Sequence, residues 1–310
     1  MYLQASNVMY KVHLFLFLLT GLSIAQQISD PDFNPPIFNP AYATGEGSQV
    51  YIDEAHNNFH TKNGRYKPFA DLLTRDGYVV KALKDTIGKN TLDSVDILVI
   101  ANALNIRNTE DWALPTPSAF TKDEIKNIVK WVDEGGSLFL IADHMPFPGA
   151  VSELASQFGF KLNNGFAFDT ASTGFDLFTR KDGTLKNNLI TNGRDDSEMV
   201  DSIYSFTGEA FQVPEDAVPV LTMNDNFIAM IPDTAWNFKE DTPKISIAGW
   251  SQGAVENFGK GKVAVWGEAA MFSAQIAGQN KTKIGMNTPE AKHNYQLLLN
   301  IIHWLDGVIE

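Results

Sequence analysis

Thr121-Lys122-Asp123-Glu124-Ile125-Lys126-Asn127-Ile128-Val129-Lys130-Trp131-Val132-Asp133-Glu134-Gly135-Gly136-Ser137-Leu138-Phe139-Leu140-Ile141-Ala142-Asp143-His144 is the stretch that decides the class of fold. Thr121 is an N-cap residue and Glu124 stands three positions on, the spacing of a capping box in which each side chain satisfies a backbone N–H of the other. Ile125, Ile128, Val129 and Val132 recur at i, i+3, i+4 and i+7 and make one apolar stripe on a helix from Lys122 to Glu134. Gly135 and Gly136 stop it. Ser137 to Ala142 is then apolar without alternation, as a strand buried on both faces is. Asp143 and His144 follow at once. A helix that returns into such a strand is half of a parallel β-α-β unit.

The same pattern extends in both directions. Upstream, Gln49 to Asp53 reads as a strand, and a helix from about Tyr66 to Arg75 ends before Gly77. Tyr78 to Val80 is a short strand, and Asp96 to Ala101 a continuous apolar one. Downstream, a helix is expected near Val151 to Phe158. Residues 160–240, with Gly/Asn/Asp-rich turns and short strand candidates such as Val218 to Met223, read as an irregular insertion. The sheet resumes with Lys244 to Trp250 and Lys262 to Trp266, and Asn257 to Gly261 reads as a hairpin connection. A last helix spans about Pro289 to Leu305, with Leu297, Leu298, Ile301, Ile302 and Leu305 on its buried side. The expectation is one α/β domain over 48–310: a mostly parallel, doubly wound sheet with helices on both faces.

Pro31, Pro35, Pro36 and Pro40 make residues 26–47 an irregular lead-in. Before it, Lys11, the apolar run Leu14 to Leu19 and Ser23-Ile24-Ala25 read as a secretory signal over 1–25, cut after Ala25. That run is too short to span a membrane comfortably. A periplasmic or secreted protein is expected, with no stable membrane insertion after cleavage. A net charge of −13 and a pI near 4.9 argue against nucleic acid as a partner. With no cysteine, the chain can form no disulfide, thiolate metal site or cysteine nucleophile.

In open parallel sheets, ligands bind at the carboxyl ends of the strands. Three strands here run into acidic or histidine-bearing loops: Asp53-Glu54-Ala55-His56 with His60 close behind, Asp143-His144, and Gly267-Glu268. One shared site is expected. His144, Asp143 and Glu268 are the catalytic candidates, with His144 as base and a carboxylate orienting it. Arg65 would clamp a carboxylate or sulfate of the substrate, and Asn57 and Phe147 are further substrate contacts. Asp53, His56 and His60 could form a mixed nitrogen–oxygen set for a divalent metal such as zinc, manganese or iron. Their alternative role is to hydrogen-bond the loop into shape, and Asn57-Asn58 favours a loop over a chelating helix. No nucleotide cofactor is expected. Gly249-Trp250-Ser251-Gln252-Gly253 matches the G-x-S-x-G nucleophile elbow, but no room follows it for the helix such an elbow needs. Trp112, Phe147, Phe166 and Trp236, in or near loops, could stack on sugar rings or anchor those loops.

Asp53-Glu54-Ala55-His56-Asn57-Asn58-Phe59-His60, Ala142-Asp143-His144-Met145-Pro146, Gly267-Glu268-Ala269-Ala270-Met271-Phe272 and Asn300-Ile301-Ile302-His303-Trp304-Leu305 together resemble a bacterial family of unassigned function, the DUF4350-type family. The resemblance brackets about residues 48–307. It implies a class I glutamine-amidotransferase-like, flavodoxin-like domain. Amidotransferases of this fold carry a nucleophilic cysteine on the turn after a central strand. Here that turn is Ala142-Asp143-His144, so glutaminase chemistry does not carry over. Related domains of the trehalose-utilisation type make a glycan role an analogy of fold alone. The function expected is that of an exported hydrolase acting on a carbohydrate or other small polar substrate. The alternatives are a non-catalytic glycan-binding or accessory module, or a scaffold in an envelope complex.

Overall fold

Four short strands lie side by side in parallel: β1 (Gln49–Asp53), β2 (Val79–Leu83), β3 (Ile97–Ala101) and β4 (Ser137–Ile141), in the order β2-β1-β3-β4. The computed structural model that shows them describes residues 27–310; the expected leader and its cut after Ala25 lie outside the described residues. Helix α1 (Lys67–Arg75) returns the chain from β1 to β2, and α2 (Lys122–Asp133) from β3 to β4. After α3 (Phe147–Gln157) the chain makes a small antiparallel sheet of β5 (Phe166–Asp169), β6 (Phe227–Met230) and β7 (Lys244–Ser246). β8 (Ser251–Phe258) and β9 (Gly261–Trp266) then form a hairpin, and β9 pairs in parallel with β4. The described chain closes with α4 (Asn294–Leu305).

Strand residues alternate between two apolar clusters, as the period of two demands. Ile97, Val99 and Ala101 pack in a cluster with Phe69 and Leu72 of α1 and Leu298 and Ile302 of α4. Leu98, Ile100 and Leu140 pack with Ile128 and Val132 of α2 and Leu154 of α3. The capping box of α2 is formed: Thr121 N donates to Glu124 Oε2 at 2.9 Å and Glu124 N donates to Thr121 Oγ1 at 3.3 Å. Ile128 and Val132 are fully buried, which contributes roughly 1.5–3 kcal/mol each.

The architecture is mixed α/β around a large, mostly parallel sheet, with five departures from expectation. Lys244–Ser246 does not belong to that sheet; it pairs with β6, and Ser251–Phe258 takes the place beside β9. Gly249, with φ +79°, turns the chain between the two. Residues 160–240 are not irregular throughout: Lys161–Leu162, Phe211–Gln212 and Val218–Thr222 extend the sheet beyond β8. Helix α3 begins at Phe147 rather than Val151, because Pro148 suits the first turn of a helix. Helix α4 begins only at Asn294, whose side chain is tied to both the N–H and the carbonyl of Tyr204. The lead-in includes a short strand, Ile28–Ser29, paired to Ala274–Ala277.

Candidate functional site at the carboxyl edge of the sheet

β1, β3, β4 and β9 run the same way, so the segments that follow them share one edge. The loop after β1 is held by a buried latch. His56 Nδ1 meets both carboxylate oxygens of Asp53 at 2.9 Å, and its Nε2 meets Glu124 Oε1 at 3.1 Å. Asn58 Nδ2 and the N–H of Ala55 add further hydrogen bonds to Asp53. Burial alone would lower the His56 pKa, but hydrogen bonds and charge from Asp53 and Glu124 outweigh it and raise the imidazole above its ordinary value. The capping-box glutamate thus has a second role: its Oε1 also accepts from the N–H of Ile87. Asn57, in the left-handed region at φ 49°, is exposed and donates from Nδ2 to Leu104 O at 3.2 Å.

His60 lies four residues on, in different surroundings. Asn102, immediately after β3, is fully buried and joins three segments. Its Oδ1 accepts from the N–H of Asp143 at 2.8 Å, and its Nδ2 faces His60 Nδ1 at 3.2 Å. A backbone N–H can only donate, which fixes the orientation of the Asn102 amide. His60 Nδ1 is then an acceptor. Burial, with the charge of Arg65 next, holds His60 well below its ordinary pKa, so the ring is neutral and its proton sits on Nε2. That buried Nε2 has no partner among the described residues.

Asp143 and His144 follow β4. Asp143 Oδ1 accepts from the N–H of His144, and His144 Nδ1 donates to Met145 O at 2.7 Å. The His144 pKa is lowered, chiefly by burial and against the charge of Asp143, which leaves Nε2 as a lone-pair acceptor. The ring stacks on Phe166 with centroids 4.5 Å apart, and Trp236 meets it edge-on at 4.5 Å. Trp112 stands 6.1 Å away. Phe147 is buried behind these rings as the first residue of α3, so it supports the wall and does not line the opening. Of the described non-glycine residues with positive φ, Asn57, Asn102, Asn164 and Trp236 all lie around this edge, and such backbone is concentrated at functional sites in general.

Glu268 is fully buried, and its two oxygens accept from the N–H groups of Ala270 and Met271 at 2.7 and 2.8 Å. Burial first, and the charge of Asp143 second, push its carboxyl well above the usual range. With both oxygens occupied, Glu268 shapes its own loop. Sequence reasoning missed its neighbour. Glu209 is fully buried, its N–H donates to Gly267 O at 2.8 Å, and its Oε2 accepts from the N–H groups of Asn163 and Asn164. Its Oε1 has no partner among the described residues, and burial raises this carboxyl too. Gly208-Glu209 and Gly267-Glu268 pack reciprocally: a Cβ on Gly208 would come within 2.9 Å of Glu268 Cβ, and one on Gly267 within 3.3 Å of Glu209 Cγ. The repeated Gly-Glu pair is the one sequence signal for Glu209. Asn102 could have been found by asking which polar residue follows each apolar strand.

The residues proposed as metal ligands do not fit a metal. His56 spends both nitrogens on carboxylates, and His60 Nδ1 is taken by Asn102. Among the described residues no group of three or more histidine and carboxylate side chains is arranged to hold an ion. Ser251 opens β8, and no helix follows it. Among the described residues no helix is long and apolar enough to cross a membrane.

No protein-family model matches this sequence, and no curated protein matches it either. Solved structures do share its shape. The N-terminal domain of mmIFT52 is 18% identical with a TM-score of 0.57, over 83% of this chain and 97% of that one. At that identity the likeness shows the fold alone. A protein described as ThuA-like from Bacteroides uniformis is 13% identical with a TM-score of 0.48, over 85% of this chain and 93% of that one. A cytoplasmic protein from Salmonella typhimurium LT2 is 13% identical with a TM-score of 0.48, over 84% and 99%. The last two are too distant to carry an argument.

Proposed function

We propose that this edge is the active site of a hydrolase for a carbohydrate or other small polar substrate, with His144 as the general base. The observation that carries the reading is the fixed tautomer of His144, with Nδ1–H on Met145 O and Nε2 left unprotonated, and with the charge of Asp143 acting on the ring. In this reading Nε2 takes a proton from water, whose oxygen attacks the electrophilic carbon. The charge of Asp143 stabilises the imidazolium that forms, and the same nitrogen returns the proton to the leaving oxygen. Burial disfavours the charged forms of Glu268 and Glu209 and pushes both carboxyls well above their usual range. Trp112, Trp236 and Phe59 offer ring faces of the kind sugars stack on.

The strand order β2-β1-β3-β4-β9 and the two apolar clusters support a doubly wound, flavodoxin-like domain with helices on both faces. This agrees with the DUF4350-type resemblance, which rests on the motifs. The leader read from Lys11 to Ala25 supports a periplasmic or secreted location.

A panel of nitrophenyl glycosides tests the reading. The wild type should turn over at least one, and His144→Ala should lower kcat by roughly 10²–10⁴-fold with its unfolding midpoint kept. Sugar binding without turnover by the wild type would replace the hydrolase with the non-catalytic glycan-binding module.

A further inference from the structure

We propose that a cavity at the opposite, amino edge of the sheet is a second binding site, and that its ligand is a small amine with an apolar body. This site is separate from the reaction read at the carboxyl edge.

β8 runs antiparallel to β9, so Val255, in its second half, lies toward the edge where the parallel strands begin. The last turn of α4 reaches the same edge, where Ser137 Oγ, at the start of β4, donates to Leu305 O at 2.7 Å. A cavity of about 450 Å³ opens here between β8, the strand Val218–Thr222, the short helix Leu189–Asn192 and Trp304 of α4. That volume falls within the ~300–1,000 Å³ of small-molecule sites. Val218 pairs with Val255, and Leu189, Ile190 and Trp304 complete an apolar lining. Val255, Ile190 and Trp304 are buried, whereas Leu189 is 50% and Val218 45% exposed, so the cavity is open to water on the side of these two. Covering that surface with a hydrocarbon or aromatic body is favourable.

The charged part of the lining selects the head group. Asp216 and Glu256 both line the cavity, and among the described residues no lysine or arginine does. Asp216 is exposed and Glu256 partly so, and neither is sealed from a ligand. Burial, and then the charge of Asp216, raise the Glu256 carboxyl above its ordinary range. Like charges that disfavour each other in this way are relieved by a cation placed with them. The cations next to the lining are committed to other acceptors: Lys262 Nζ donates to Trp304 O at 2.6 Å, and Arg180 Nη2 donates to Asn192 Oδ1 at 2.9 Å. The Lys262 ammonium also lies 5.2 Å over the Trp304 ring, so this indole already packs against a group of the proposed kind. An anionic ligand would meet like charge here, and an ammonium meets opposite charge.

Titration calorimetry with probes that share a phenyl body tests this: phenethylamine, phenethyl alcohol and hydrocinnamate. The amine should bind at least about ten-fold more tightly than the acid, with the alcohol between them. Asp216→Asn combined with Glu256→Gln should bring the amine down to the affinity of the alcohol and leave the alcohol unchanged. Leu189→Asn, at a half-exposed position, should weaken amine and alcohol alike by about five-fold. His144→Ala should bind the amine as the wild type does. Should the double variant fail to fold, Asp216→Asn alone, at an exposed position, should lose part of the preference for the amine. Equal affinity for amine and acid, or no binding of the amine up to about 10 mM, overturns the site. So does an amine affinity unchanged by Leu189→Asn, which would mark a general attraction to an acidic surface. An amine affinity lost in His144→Ala would move the amine to the carboxyl edge and overturn the site as well. None of these outcomes depends on whether the wild type turns over a glycoside.

Discussion

His56 and His60 stand four residues apart in one loop and are both buried, yet their surroundings are opposite. His56 has each nitrogen on a carboxylate and its charge is favoured. His60 has one nitrogen on a neutral amide, the other on nothing in the described chain, and its charge is strongly disfavoured. The first arrangement is a fastening. Burial of a paired ion contributes little net stability, but breaking such a pair leaves uncompensated charge inside. The second arrangement leaves a buried hydrogen-bonding group without a partner among the described residues, which is unfavourable. The difference separates the part of the loop that holds the fold from the part that can act.

The largest effect should come from breaking the fastening. His56→Ala leaves Asp53 and Glu124 facing each other without their shared cation, and should lower stability by roughly 3–5 kcal/mol in urea unfolding. A loss below about 1 kcal/mol, typical of a surface pair, would mean that the latch does not hold the loop.

A smaller effect follows from pH. The folded His56 pKa is raised, so its stabilisation is complete below the unfolded value of about 6.5 and is lost as pH rises through the higher folded value. The folded Glu124 pKa is lowered, burial being outweighed by Thr121, His56 and Ile87, so its contribution is present above the unfolded value and lost as pH falls. The latch should therefore be strongest between about pH 4.5 and 6.5. Measured against His56→Gln, the stability advantage of the wild type should shrink above and below that window. A difference that stays flat from acid to alkaline pH would show that His56 is held neutral.

The smallest effect is expected at Ser251. It is buried where β8 begins, on a strand rather than an elbow. Ser251→Ala should leave any turnover within a few-fold and stability within about 1 kcal/mol. Stoichiometric labelling of Ser251 by a fluorophosphonate would contradict this placement.

What could be read in the sequence was what local pattern specifies. β3, β4 and α2 announce themselves through unbroken apolar runs, a stripe at helical period and a capping box, and the acidic and histidine segments at one edge follow from parallel strands. What could not be read depends on partners distant in sequence. Glu124 looked fully explained by Thr121, while its contact with His56 crosses 68 positions. Glu209 lies in a region without period, and is placed by the carbonyl of Gly267. Lys244–Trp250 has the better strand composition, yet Ser251-Gln252-Gly253 enters the main sheet because its polar groups find partners there, Gln252 with Ser205, Thr207 and Glu209. Phe147, expected to touch a substrate, is buried, and Asn57 is exposed with its Nδ2 on Leu104 O.

The central claim is that this loop and the turn after β4 hold three histidines in three defined protonation states. The measurement that reaches it most directly is a 15N–1H correlation titration of the imidazole nitrogens in the full chain. Near neutral pH, His56 should carry protons on both nitrogens, His60 on Nε2 alone and His144 on Nδ1 alone, with His56 losing its proton only above the ordinary value of about 6.5. If instead His56, His60 and His144 all titrate together near that value, the latch, the open donor and the oriented base are all contradicted.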